Sequence, residues 1–223
     1  MRLTAVPGLG LGPEAWRPAL SALVLHTGAR AGTVHLLPGY GVPTASRRAP
    51  VPAELGAVLA RRLAGPTTLL GHSSSCQVVA HAARLRPDLV RAIVLACPTT
   101  DPRAASWPGL AGLWLRTAAH EDPRQVPLLL RQYRRTTLRS MLTTMDAARR
   151  DDLRRTLSLV TAPVVLVRGA QDRIARPDWL ATLAGTGPGR SVVEVPAGAH
   201  MVPLTHPRLF ADHVGPLLAG HGS

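Results

Sequence analysis

Short runs of Val, Ile, Leu and Ala recur at residues 2–6, 33–37, 67–71, 91–96, 163–168 and 191–195, each bounded by Gly or Pro. Apolar runs of this length between turn residues predict β-strands. The stretch Ala92-Ile93-Val94-Leu95-Ala96 has no polar alternation, as expected of a strand covered on both faces in a parallel sheet. Helical spacing fills the intervals at 14–25, 52–63, 75–85, 177–183 and 207–218. Strand alternating with helix predicts an α/β protein with an open, mostly parallel sheet of about six strands and right-handed crossovers.

One interval breaks this rhythm. Residues 101–158 carry no strand signal, only amphipathic helical segments such as 126–135 and 137–149. That is too long for a single crossover helix, so an inserted helical lid is expected between core segments 1–100 and 159–223.

Composition narrows the classes. No 18-residue apolar run occurs in the 223 residues, which argues against a membrane span. The opening MRLTAVPGLG, broken by Pro7 and Gly8, does not read as a signal peptide. Two cysteines, Cys76 and Cys97, make no disulfide framework or CxxC motif, and fit a reducing cytoplasmic setting. Net charge is +13, yet every basic residue is Arg, spread along the chain with only four Trp, two Tyr and one Phe. Nucleic-acid binders instead cluster their charge among aromatics, so no specific nucleic-acid partner is expected. The densest basic stretch (Arg131, Arg134, Arg135, Arg139, Arg149, Arg150, Arg154 and Arg155) reads as a solvated helix face.

Thr67-Thr68-Leu69-Leu70-Gly71-His72-Ser73-Ser74-Ser75-Cys76 places a Gly-His-Ser turn between a strand and a helix. Such an elbow lifts a serine hydroxyl above the sheet edge and makes Ser73 the candidate nucleophile. A serine needs a base, and the base an orienting acid. Asp172 follows the strand at 163–168, and His200 follows the strand at 191–195. Asp101, after the fourth strand, is the rival acid. His206 and His213 lie at the last helix and read as surface residues. His72 is expected to point away from the reacting atom and pack, and Cys76 to be a buried inert thiol. No metal-binding cluster or cofactor motif is evident.

A developing oxyanion needs backbone donors. The N–H of Ser74 is one candidate; the glycine-rich loop Val6-Pro7-Gly8-Leu9-Gly10-Leu11-Gly12 supplies Leu9 as the other. That loop lacks the GxGxxG spacing and downstream acid of a dinucleotide site.

These motifs together resemble the α/β-hydrolases of the lid-bearing esterase, lactonase and thioesterase type. Pro7-Gly8-Leu9-Gly10 with Ala15-Trp16-Arg17-Pro18 is similar to that family's oxyanion loop and following helix. Leu36-Leu37-Pro38-Gly39-Tyr40-Gly41, Gly71-His72-Ser73, Gly169–Asp172 and Gly198-Ala199-His200 match its later turns in order. Pro7, Leu36 and Ser75 stand where the family usually has His, Asp and Gly, and its two leading antiparallel strands have no counterpart. The resemblance implies a serine hydrolase acting on an ester, lactone or thioester, with elimination or acyl transfer as the alternative. Trp107, Trp114, Tyr133, Met141 and Met145 are expected to line an acyl pocket. The substrate is expected to be a small molecule, with a coenzyme A or carrier-linked one suiting the Arg-dense lid, and an uncovered edge strand would suit a homo-oligomer.

Overall fold

The computed structural model describes residues 1–30, 32–45 and 48–220. Its strands are, in chain order, β1 (Leu3–Val6), β2 (Gly32–Val34), β3 (Leu37–Pro38), β4 (Gly41–Val42), β5 (Thr67–His72), β6 (Val90–Ala96), β7 (Val164–Gly169) and β8 (Arg190–Val195). Six of them build one parallel sheet in the order β2-β1-β5-β6-β7-β8. Central β5 is buried along its whole length, as its apolar run requires.

The helices are α1 (Arg17–Thr27), α2 (Pro52–Arg62), α3 (Ser75–Leu85), α4 (Trp107–Ala118), α5 (Val126–Thr136), α6 (Leu138–Ala148), α7 (Leu153–Leu157), α8 (Pro177–Ala184), α9 (Val202–Thr205) and α10 (Pro207–Ala219). From β1 the chain steps outward to β2, then reverses across the sheet. With right-handed crossovers this puts α1 and α10 against one face and α2, α3 and α8 against the other. Trp16 is wholly buried beneath α1, its ring edge-on to Phe210 and its indole N–H donating to the Val6 carbonyl at 2.9 Å.

Two elements differ from expectation. The strand expected at 33–37 ends at Val34, and residues 37–42 form a separate two-stranded ladder. Gly39 (φ +82°) and Gly41 (φ +92°) bend the backbone there into the left-handed region that glycine enters freely. The helix expected over 14–25 is split into a 3-10 turn at Pro13–Ala15 and α1.

Between β6 and β7 the regular elements are all helical, α4 to α7 with two 3-10 turns. This segment is tied to the loops beside it by polar contacts rather than by apolar packing alone. The Gly12 N–H donates to Gln132 Oε1 at 2.7 Å, and the Thr136 hydroxyl to the Gly10 carbonyl at 3.1 Å. The Thr44 N–H donates to Ser140 Oγ at 3.0 Å, and Gln77 Nε2 to the Ala148 carbonyl at 3.0 Å. No helix is long and apolar enough to cross a membrane among the described residues.

Candidate active site

The C-terminal ends of β1, β5, β7 and β8 carry the loops that hold the sequence-predicted residues, as parallel α/β sheets require of a ligand site. Ser73 sits directly after β5 at φ +58°, a conformation that a non-glycine residue adopts only where its surroundings impose it. Its amide donates to Ala96 O at 2.9 Å, anchoring the turn to β6. Gly71 is required nearby, because a Cβ there would meet the backbone of Cys76 at 2.8 Å.

Ser73, His200 and Asp172 form a continuous hydrogen-bonded line. The Ser73 hydroxyl lies 2.9 Å from His200 Nε2, and His200 Nδ1 lies 2.9 Å from Asp172 Oδ2. A carboxylate only accepts, so Nδ1 carries the proton and Nε2 is left to accept from the serine. Asp172 Oδ1 also accepts the N–H groups of Ile174 and Ala175 at 2.8 and 3.1 Å. Burial alone would raise the Asp172 pKa, but His200 and these two amides outweigh it and hold the carboxyl below its ordinary value. Burial would likewise depress His200; the Asp172 carboxylate, with a smaller contribution from Glu121, reverses this and raises it.

The other sequence candidates separate clearly. Asp101 is buried against Arg103 and Arg176, at 2.7 and 2.9 Å, and makes no contact with His200. The Cys76 thiol is buried against the Ala96 carbonyl, and burial pushes its pKa well up. Leu9 lines the cavity beside Ser73, and buried Ser74 precedes α3. Among the described residues the backbone N–H of neither Leu9 nor Ser74 donates within the protein.

The cavity above Ser73 holds about 490 Å³. Trp114, Tyr133, Met141 and Met145 all line it, with Leu129 and Met201. Burial and Glu121 push the Tyr133 phenol up to about 12. Trp107 is not in this wall, against expectation. It opens α4, where it is 41% exposed and lies under the Arg149 guanidinium at 5.4 Å.

His72 packs as expected, buried and edge-on to Trp16, but does not turn away from the cavity. Its ring lines the same cavity, and Nε2–H donates to the His200 carbonyl at 2.8 Å. Burial, aided by neighbouring His200, lowers its pKa to about 3, so it stays neutral. It therefore braces the backbone of the histidine loop. Gly8 must lack a side chain for this ring, since a Cβ would stand 2.6 Å from its Nδ1.

Three supporting residues were not singled out in the sequence for the parts they play here. Arg168, buried at the end of β7, donates to the carbonyls of Ala175, Asp172 and Ala170 at 2.8, 2.8 and 3.3 Å and pairs with Glu194. An arginine closing the run Val164-Val165-Leu166-Val167 was the available signal, because a buried cation demands acceptors. Ser75 places its hydroxyl within 2.9 Å of the Val6 carbonyl and accepts the His72 N–H at 2.8 Å. Glu121 Oε1 accepts the N–H of Met201, the residue after His200, at 2.9 Å; no sequence pattern marks it.

Cys97 joins Asp172 and His200 in a group whose ligand atoms lie within 4.8 Å of one another. Burial keeps the Cys97 thiol protonated, and the other two are hydrogen-bonded to each other, so the three do not present an open metal cradle.

No curated protein sequence matches the chain. Solved structures share its fold. The enol-lactonase from Burkholderia xenovorans LB400 is 19% identical, with TM-score 0.74 over 97% of this chain and 90% of that one. A thermophilic esterase from Thermogutta terrifontis, malate bound, is 16% identical, with TM-score 0.76 over 100% and 91%. An E-2-(acetamidomethylene)succinate hydrolase is 22% identical, with TM-score 0.73 over 98% and 90%. The profile of the alpha/beta hydrolase family matches residues 5–213, and the chain belongs to that family.

Proposed function

We propose that this chain is a serine hydrolase that cleaves a carboxylic ester, lactone or thioester through an acyl-enzyme. The observation that carries the reading is the line Ser73–His200–Asp172, with both links at 2.9 Å. In this mechanism Ser73 Oγ attacks the substrate carbonyl carbon while His200 Nε2 takes its proton. Asp172 orients the imidazole and stabilises the imidazolium. The N–H groups of Leu9 and Ser74 receive the oxyanion, each contributing about 3 kcal/mol to the transition state. The imidazolium then protonates the leaving group, and water, deprotonated by the same imidazole, releases the acid. Helices α4 to α6 serve as the lid, with Trp114, Tyr133, Met141 and Met145 forming the acyl wall.

Several features support this reading. Ser73 is half-buried, while Asp172 is shut away from solvent. Hydrolases and an enol-lactonase are among the fold neighbours. Both thiols are buried and unpaired, which suits a cytoplasmic setting. The succinate hydrolase among the neighbours is named for an acidic substrate, but no Arg lines the cavity here among the described residues. A carrier or coenzyme A would therefore meet the basic exterior, not the pocket.

The test is hydrolysis of p-nitrophenyl butyrate. Wild-type protein releases nitrophenolate, a fluorophosphonate phosphonylates Ser73 with loss of HF, and Ser73→Ala abolishes both. Undiminished turnover by Ser73→Ala would refute the nucleophile, and a product mass without added water would move the reaction to elimination or transfer.

A further inference from the structure

The surface and the cavity of this protein carry opposite charge. Net charge is +13, yet among the described residues the only charged side chains other than histidine in the cavity wall are Glu121 and Asp122. They stand between α4 and α5, over the His200 loop. Asp122 is matched by Arg124 at 3.1 Å, an arginine whose side chain is 91% exposed and outside the cavity. Glu121 has no cationic partner among the described residues. It is fixed instead by neutral donors, the Met201 N–H at 2.9 Å and Gln125 Nε2 at 2.8 Å. Gln125 also lines the cavity, so its amide cannot offer an anion the donors it gives to Glu121.

A carboxylate held this way beside the reacting histidine acts on whatever charge the substrate brings. A second carboxylate in the same cavity is repelled and finds, among the described residues of the wall, no arginine to pair with. A cation is attracted by Glu121, and the aromatic side chains of Trp114 and Tyr133 in the same wall suit a weakly hydrated ammonium.

We propose that Glu121 is a specificity-determining residue that sets the cavity for acyl groups that are neutral or carry an ammonium, and against those carrying a carboxylate. This rests on the hydrolase reading for its turnover assay, but not for its binding assay. The turnover substrates are p-nitrophenyl esters of matched chain length: 4-(trimethylammonio)butyrate, its isosteric neutral 5,5-dimethylhexanoate, and the monoester of adipate. The expected order of kcat/KM is ammonium, then neutral, then carboxylate, with the last lower than the neutral ester by about tenfold or more. Glu121→Gln keeps an acceptor for the Met201 N–H and brings the three values together. Equal turnover of neutral and carboxylate esters, or a ranking that survives Glu121→Gln unchanged, overturns the proposal. Binding of the corresponding methyl ketones to Ser73→Ala protein, followed by calorimetry, reads the same preference without chemistry. The same ranking there, with wild-type protein that hydrolyses none of the esters, would sink the hydrolase reading alone; a flat or inverted ranking overturns the specificity assignment.

Discussion

The Ser75 hydroxyl bridges two backbone segments, lying 2.9 Å from the Val6 carbonyl and 2.8 Å from the His72 amide. Val6 ends β1 and leads into the glycine loop; His72 ends β5 and leads into Ser73. The side chain that stands where related elbows carry glycine thus joins the glycine loop, proposed to receive the oxyanion, to the turn that carries the proposed nucleophile. Ser75→Ala leaves the buried His72 N–H without its acceptor, an expected loss of about 1–3 kcal/mol. Urea unfolding measures it, and an unmoved midpoint would contradict the bridge. In ester hydrolysis the same variant lowers kcat more than it raises KM.

Arg168 fixes the loop that carries Asp172, the proposed orienting acid. Its guanidinium spans three carbonyls at once, a forked geometry that a lysine cannot copy. Arg168→Lys should lose activity by about a hundredfold through displacement of Asp172, with far-UV circular dichroism unchanged. Full activity in a folded Arg168→Lys protein would remove Arg168 from the supporting set.

In the proposed mechanism the acidic limb of kcat/KM follows from the proton on His200. The imidazole must be neutral to act as base, and its pKa is raised from 6.5 by Asp172 against the pull of burial. Activity therefore rises with pH through a midpoint above 6.5, and Glu121→Gln moves that midpoint down. Stability runs the opposite way. A raised folded-state pKa contributes stability that is complete below 6.5 and lost as pH climbs through the raised value. Asp172, whose folded pKa is lowered from 3.8, contributes stability above 3.8 that is lost as pH falls through its depressed value. Melting curves across these two windows, compared with Asp172→Asn, separate the contributions.

Gly39 couples the turn after β3 to helix α6. At φ +82°, with a Cβ position that would overlap the Thr144 side chain, Gly39→Ala carries about 1–2 kcal/mol of backbone strain and about 1–3 kcal/mol of overpacking. The expected result is a lower melting temperature together with weaker ester hydrolysis, since α6 also supplies Met141 and Met145 to the cavity. A melting curve like the wild type's would show that α6 yields freely.

The sheet was legible because each strand is a compact apolar run closed by a breaker, and because Ser73, Asp172 and His200 each follow such a run in order. The short β2 was not legible: Leu36 and Leu37 extend the apolar run, while two positive-φ glycines beyond them decide where the backbone turns. Trp107 was misplaced for a related reason. Helical spacing says that α4 has an apolar face, but a residue at the first turn can face Arg149 instead of the cavity. Glu121 was invisible because its partner Met201 is 80 residues away, and the absence of arginine from the cavity wall among the described residues is a property of three-dimensional placement in a chain rich in arginine.

The roof of the cavity is stitched to its floor by Gln132 on the Gly12 amide and Thr136 on the Gly10 carbonyl. Trimming residues 126–136 to admit bulkier molecules would therefore not simply widen a doorway. It would unfasten the glycine backbone to which we assign the oxyanion, so any redesign of the entrance must first replace those two stitches.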